Sequence, residues 1–443
     1  MVLLLASFVF YSAHNPLLLL LLLASLTITA VTSYKVVHGR PDHRKFWATI
    51  GVAINIVVLC FFKYSSLAYR TMGSALDGGV GAFLISIPLP IGISFYTFEG
   101  ISLMVDVFRT GEYGKLKVAV DRNFFRHWLN TALFVSFFPH LVSGPILKAH
   151  DFLPQIRQKY FSYIHWEYAF KAIVLGYFLK MVVADNLNQQ TFWIAYPHFQ
   201  YLGQITLTAL LFGYSIQIFS DFAGYSLIAL GVASLFGYRL QVNFDFPYIS
   251  SSFSEFWRRW HISLSTWLKE YLYISLGGNR KGKVNTYINL IITMGLGGLW
   301  HGAAWSYAVW GLWHGMALAA ERLIRDYVRI PWAEHPLYVV AKTIFVFVFV
   351  TFGWLLFKLP EFSQTVDFLR AMAANTMVTN AKRIIISIIL FSLPSILYHF
   401  YYLLRSRGIY TMGRAVEIIV YGVMLFLIIV NSGESNAFIY FQF

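Results

Sequence analysis

The residues best suited to chemistry in this chain are imidazoles set in apolar sequence. His301 lies in GLGGLWHGAAWSYAVWGLWHG (295–315), with His314 near its end. His261 closes the WRRWH run of FSEFWRRWHISLSTWLKEYL (253–272), and His140 lies in FFPHLVSGPI (137–146). Asp221 is the carboxylate of SIQIFSDFAGYS (215–226). Ionisable groups in apolar segments are costly and are kept where they have a partner and a task. A neutral imidazole takes a proton from a hydroxyl near neutral pH. Each histidine is thus a candidate general base, beside the alternative of a structural ring held by one hydrogen bond. For Asp221 the alternatives are a carboxylate satisfied by Tyr or Ser hydroxyls and one that orients a histidine or lines a water path.

Other chemistries lack their signatures. The sequence has no H-E-x-x-H, no histidines paired at i,i+4, no cysteine cluster, no P-loop and no G-x-S-x-G elbow. No metal site is therefore expected. Ser263 and Ser265 follow His261, but helix serines beside an imidazole are common without being nucleophiles. A base without a covalent nucleophile fits direct acyl transfer, in which a hydroxyl deprotonated by histidine attacks a thioester carbonyl. Indole N–H groups of Trp300 or Trp305, or backbone amides near His301, are candidate donors to the oxyanion.

These residues need a membrane scaffold. Of the 443 residues, 58% are hydrophobic and 12% charged, against about 25% charged in ordinary soluble proteins. Backbone polar groups in lipid must be satisfied internally, and the apolar runs are continuous rather than alternating, so the expected fold is an all-α polytopic membrane protein. Candidate spans are 2–10 running on to 17–31, 46–62, 80–104, 128–146, 170–183, 205–235, 287–299, 303–320, 339–357, 384–402 and 418–430, roughly ten or eleven crossings or half-crossings. The N-terminus lacks a basic n-region and an A-x-A site, so it reads as retained membrane segments. The net charge of +14 gathers at 35–45, 109–126, 258–259, 280–283 and 405–414. Short basic loops follow the positive-inside bias and can touch lipid headgroups, so nucleic acid is not an expected partner. Cys60, the single cysteine, excludes an intrachain disulfide. Nothing separates a soluble domain, and 1–443 reads as one membrane domain.

Residues 284–320 contain no Lys, Arg, Asp or Glu. This is nearly twice the ~20 residues of one crossing, so two segments joined by a break near His301 are expected, with Gly295, Gly297, Gly298 and Gly302 at the break. On an unbroken helix His314 would lie about 20 Å from His301, which makes it a packing or pore-lining residue. In 253–272 the aromatic and leucine positions share one helical face, as in an interfacial helix. His261 falls at the edge of that face, while Arg258 and Arg259 point away.

The stretches FWRRWHISLSTWLKEYLYISLGGNR (256–280) and GLWHGAAWSYAVWGLWHG (298–315) resemble the membrane-bound O-acyltransferase family. More narrowly, they resemble its bacterial branch of alginate O-acetylation and teichoic acid D-alanylation proteins. PIGISFYTFEGIS (90–102), FFPHLVSGPI, DFAGYS (221–226), NFDFPY (243–248) and the closing FIYFQF (438–443) add to the resemblance. It implies a ring of helices around a tunnel joining cytosol and exterior, in a bacterial inner membrane. Family members often open on a further apolar segment. The family's essential histidine falls on His301 and its second histidine on His261; Trp257, Arg258, Asn243, Asp221, Trp300, Trp305 and His314 are candidates to bind substrate or line the tunnel. The implied reaction moves an acetyl group from a cytosolic thioester (acetyl-CoA or an acyl carrier) to hydroxyls of an extracytoplasmic polysaccharide or cell-wall glycan, through a periplasmic or surface partner, with no bound cofactor. D-alanyl transfer to teichoic acid and, in another class, transport of a lipid-linked sugar are the alternatives.

Overall fold

A computed structural model describes residues 1–13, 15–72, 79–110, 118–142, 144–328, 335–377 and 380–434. The FIYFQF ending and 111–117 of the basic loop 109–126 lie outside the described residues. The chain is an all-α multi-pass membrane protein, and no strand occurs among the described residues. Among these residues five helices are long and apolar enough to cross a membrane: Pro16–His38, Pro41–Met72, Gln204–Leu235, Pro336–Lys358 and Lys382–Ser406. The chain forms two compact units, Met1–Trp166 with Val232–Gln241, and Glu167–Gly231 with Val242–Phe443.

The first unit contains α1 (Val2–Ser12), α2 (Pro16–His38), α3 (Arg44–Met72), α4 (Gly79–Ser86), α5 (Ile93–Arg109), α6 (Phe124–Ser136), α7 (Phe138–Leu141) and α8 (Ala149–Phe152). The span expected over 80–104 is two helices. Pro88 and Pro90 cannot continue the hydrogen-bond ladder, and the chain turns at Gly92, whose φ of 76° suits glycine. From there α5 is buried along nearly its whole length against α2 and α3. Gly51 and Gly100 let these helices approach: a Cβ on Gly100 would lie 2.7 Å from Asn55 Oδ1. Small residues at crossings and interhelical hydrogen bonds replace the hydrophobic drive that lipid cannot supply. Lys63 on α3 accordingly donates to Ser94 on α5 at 2.9 Å.

The second unit carries α9 (Trp166–Tyr177), a π-helical stretch Phe178–Ala184, α10 (Asp185–Thr191) and most of α11 (Gln204–Leu235). There follow α12 (Phe253–Arg259), α13 (Ile262–Trp267), α14 (Lys283–His301), α15 (Trp305–Tyr327), α16 (Pro336–Lys358), α17 (Phe362–Ala374), α18 (Lys382–Ser406) and α19 (Arg414–Val430). Its centre is the α14–α15 hairpin. The chain breaks after His301, at an extended Gly302. The other glycines expected at the break have a different job. Gly298 lies inside α14 beneath Gly311 of α15, where a Cβ on Gly298 would fall 2.8 Å from the Gly311 Cα. A Cβ on Gly315 would meet the Ile291 Cα at 2.9 Å. Lost side chains thus become close backbone contact, the small-residue packing of membrane helices.

Candidate active site

The interfacial segment is not one helix. Ser252 caps α12, its hydroxyl accepting from Glu255 N at 3.0 Å, and the Glu255 carboxylate accepts from Ser251 N at 2.9 Å. This reciprocal arrangement resembles a capping box. The Glu321 carboxylate of α15 sits on the same helix start, accepting from Phe253 N at 2.5 Å, where the helix dipole favours negative charge. The helix then stops at an extended Trp260, and His261 adopts a left-handed backbone, φ 43° and ψ 54°. A helical wheel placed His261 at the edge of the apolar face; the bend at His261 itself turns it wholly inward, to 0% exposure. Such a backbone costs a non-glycine residue about 1–2 kcal/mol and persists where the surroundings impose it.

The surroundings here are Asn243 and its neighbours. Ile262 N donates to the Asn243 carbonyl at 2.9 Å, and Asp245 N donates to the Arg259 carbonyl at 2.9 Å, so 243–245 is laced to the bend. The buried Asn243 side chain goes further. Its Oδ1 accepts from Ser263 N at 3.2 Å, from Ser263 Oγ at 2.9 Å and from His261 Nδ1 at 3.1 Å. A backbone N–H can only donate, so the atom facing it is the amide oxygen. That fixes the imidazole as well: Nδ1 carries the proton and the neutral ring keeps its lone pair on Nε2. The amide nitrogen donates to Ser226 Oγ at 3.3 Å. Asn243 and Ser226 also line a narrow cleft of about 40 Å³ with Phe219, Leu230 and Tyr398.

His301 stands beside His261, ring centroids 6.1 Å apart and inclined by 59°. It is 4% exposed and is walled by Trp300 at 5.2 Å, Trp310 at 5.1 Å and Phe357 at 5.3 Å. Trp300 is also 6.0 Å from His261, which Phe222 meets edge-on at 4.7 Å. The structure therefore brings together two of the expected residues from α14 and the α12–α13 bend, with Asn243 and Trp300 in contact with them.

The remaining expected residues separate. His314 lies on the far side of Trp310, 5.0 Å from that ring and 5.1 Å from Trp257. Neither of its nitrogens has a hydrogen-bond partner among the described residues. Trp305 begins α15 and is 57% exposed, and Arg258 turns outward, donating to Ser254 Oγ at 3.1 Å. Asp221 pairs with an ammonium: Lys180 Nζ lies 2.8 Å from Asp221 and 2.5 Å from Asp185. The close crossing of Gly176 and Gly224, where a Cβ on either would sit 2.8 Å from the other's carbonyl oxygen, brings this trio together. The π-helical stretch re-aims Lys180, as π-turns do at functional sites. The signal available in sequence was a lysine and an aspartate interrupting an apolar run, LKMVVAD (179–185). In the first unit His140 pairs with Glu99, Nε2 to Oε1 at 2.7 Å, while its Nδ1 donates to the Phe137 carbonyl at 2.6 Å; both side chains are fully buried.

Among the described residues no group of three or more His, Cys, Asp or Glu is arranged to hold a metal ion.

Residues 125–360 match the family model of the membrane-bound O-acyltransferases. The chain is 39% identical over 324 residues to the probable alginate O-acetylase of Azotobacter vinelandii, covering 72% of this chain and 61% of that protein. It is 33% identical over 396 residues to the peptidoglycan O-acetyltransferase of Helicobacter pylori, covering 84% and 73%. It is 29% identical over 294 residues to the teichoic acid D-alanyltransferase of Bacillus subtilis, covering 60% and 68%. The chain spans three fifths to two thirds of the length of the alginate O-acetylases it matches.

Proposed function

Because this chain belongs to the membrane-bound O-acyltransferase family, we propose that it transfers an acyl group, acetyl in the first instance, from a cytosolic thioester to a hydroxyl of an extracytoplasmic glycan. The observation that carries this reading is the pairing of His261 with His301 at 6.1 Å in a buried aromatic pocket. His301 is the general base. It takes the hydroxyl proton as the oxygen attacks the thioester carbonyl; the C–O bond forms, the C–S bond breaks, and the departing thiolate regains a proton. His261, with its lone pair fixed on Nε2 by Asn243, orients the hydroxyl or relays that proton.

In this reading the acyl group reaches His301 through a tunnel open to both compartments, past the walls formed by Trp300, Trp310 and Phe357. The Trp300 indole and the backbone amides of the break that follows α14 are the proposed donors to the developing oxyanion. The membrane is a bacterial inner membrane, and a periplasmic or surface protein completes delivery to the glycan. Acetyl is preferred over D-alanyl because identity to the alginate O-acetylase of Azotobacter vinelandii is higher than to the teichoic acid D-alanyltransferase of Bacillus subtilis.

Mass spectrometry of cell-surface glycans from cells with and without this protein tests the reading. The expected difference is loss of O-linked acetyl from one glycan class. Unchanged glycan acylation contradicts it, and loss of D-alanyl esters instead moves the assignment to the second donor.

A further inference from the structure

The first unit holds a cleft of about 690 Å³ in the connecting segments 154–165 and 237–239. Four of its lining residues are Arg157, Lys159, His165 and Arg239, and none of the ten is acidic. None of these bases belongs to the charge clusters that stand out in sequence, because 157–165 and 239 meet only in the fold.

Two of the cations, Arg239 and Lys159, are held in place by groups that leave their charge intact. Gln155 clamps the Arg239 backbone from both sides, its Oε1 accepting from Arg239 N at 2.9 Å and its Nε2 donating to the Arg239 carbonyl at 3.0 Å. The Arg239 guanidinium donates to His165 Nε2 at 2.7 Å. Its partner is thus a lone pair on an imidazole rather than a carboxylate. Lys159 donates to the Gly237 carbonyl at 2.8 Å and lies 4.0 Å from the centre of the Tyr238 ring. Burial, and then the Arg157 guanidinium, lower the Lys159 pKa. Among the described residues no carboxylate pairs with Arg157, Lys159 or Arg239. Here two chain segments spend side-chain hydrogen bonds on fixing cations that repel one another.

We infer that this cleft binds a phosphate group, with Arg157, Lys159 and Arg239 as its charge-bearing ligands. Guanidinium forks and an ammonium match the oxygens of a phosphate, and three convergent cations suit a dianion better than a single carboxylate. The same chemistry is offered by a soluble phosphate ester, such as the nucleotide portion of coenzyme A, and by the headgroup of an anionic lipid. The inference stands apart from the acyl-transfer pocket and is tested by binding alone.

The full chain, purified in a neutral detergent without phosphate, is titrated with inorganic pyrophosphate by calorimetry. Wild type is expected to bind with an affinity that falls as salt rises. Replacing both Arg157→Gln and Lys159→Gln weakens binding about tenfold or more, while Arg405→Gln with Arg407→Gln, the same change of charge elsewhere, leaves it unaltered. Arg157→Gln alone removes an exposed side chain that makes no hydrogen bond among the described residues; it guards against misfolding and is expected to weaken binding severalfold. Competition by coenzyme A assigns the site to a soluble ester. Competition by nanodiscs containing phosphatidic acid, but not by pure phosphatidylcholine, assigns it to a lipid. Absence of pyrophosphate binding, or equal weakening by both double substitutions, overturns the inference.

Discussion

Asn243 shows how one amide sets the chemistry of a neighbour. Its oxygen faces a backbone N–H, so it accepts from His261 Nδ1 and leaves the lone pair on the other ring nitrogen. Asn243→Asp keeps an acceptor in place, and Asn243→Val removes it. The expected result is that the aspartate variant retains most acyl transfer, whereas the valine variant loses on the order of 100-fold in kcat with KM little changed. Equal loss in both, or a change confined to KM, would remove Asn243 from that positioning role. His301 and His261 were legible in sequence because an imidazole is conspicuous in apolar surroundings. Their adjacency was not, since it depends on a left-handed backbone at His261 that no helical periodicity foretells. Lys180 escaped notice for the opposite reason: a lone lysine near the end of an apolar run reads as an interfacial anchor until the fold brings Asp185 and Asp221 to it.

Helices in lipid are held by shape, and the α14–α15 hairpin shows the consequence. A Cβ on Gly311 would fall 3.0 Å from the Cα atoms of both Gly295 and Gly298. Gly311→Leu therefore drives the helices apart. Overpacking costs about 1–3 kcal/mol, and His301 at the end of α14 is displaced with the hairpin. A detergent-solubilised variant is expected to unfold several degrees below wild type and to lose most activity; wild-type stability would show that the crossing is loosely packed. The break after His301 could be anticipated from the uncharged length of 284–320, but most of its glycines serve the crossing rather than the break. Sequence shows that glycine is present, not which neighbour occupies the space it leaves. A pH effect belongs to the connection carrying α8. The His150 Nδ1 lies 2.8 Å from Asp106 Oδ2 on α5, and that hydrogen bond raises the His150 pKa above its ordinary 6.5 while burial opposes it. A raised histidine value means that the pairing stabilises the fold fully below about pH 6.5 and fades as pH rises through the folded-state value. The melting-temperature difference between wild type and His150→Gln should accordingly shrink from pH 6 to pH 8. A difference that grows over this range would contradict the pairing.

For the molecule as a whole, 58% hydrophobic and 12% charged residues specified a membrane protein, and the continuous rather than alternating apolar runs specified helices. What composition left open was how the charges that remain are distributed. They occur as buried pairs, Glu99 with His140 and Lys180 with two aspartates, and as the basic cleft of the first unit. All of these are long-range or backbone-dependent contacts, which local pattern does not encode. The proposed reaction gives two histidines of the α14–α15 hairpin contrasting roles: His301 faces His261, and His314 sits behind Trp310 with its nitrogens unpaired among the described residues. The most direct measurement is acyl incorporation into glycan by membranes carrying equal amounts of wild type, His301→Ala or His314→Leu. The account predicts a loss of at least about 100-fold for His301→Ala and near wild-type incorporation for His314→Leu. Full incorporation by His301→Ala, in protein that is folded and inserted, would contradict it.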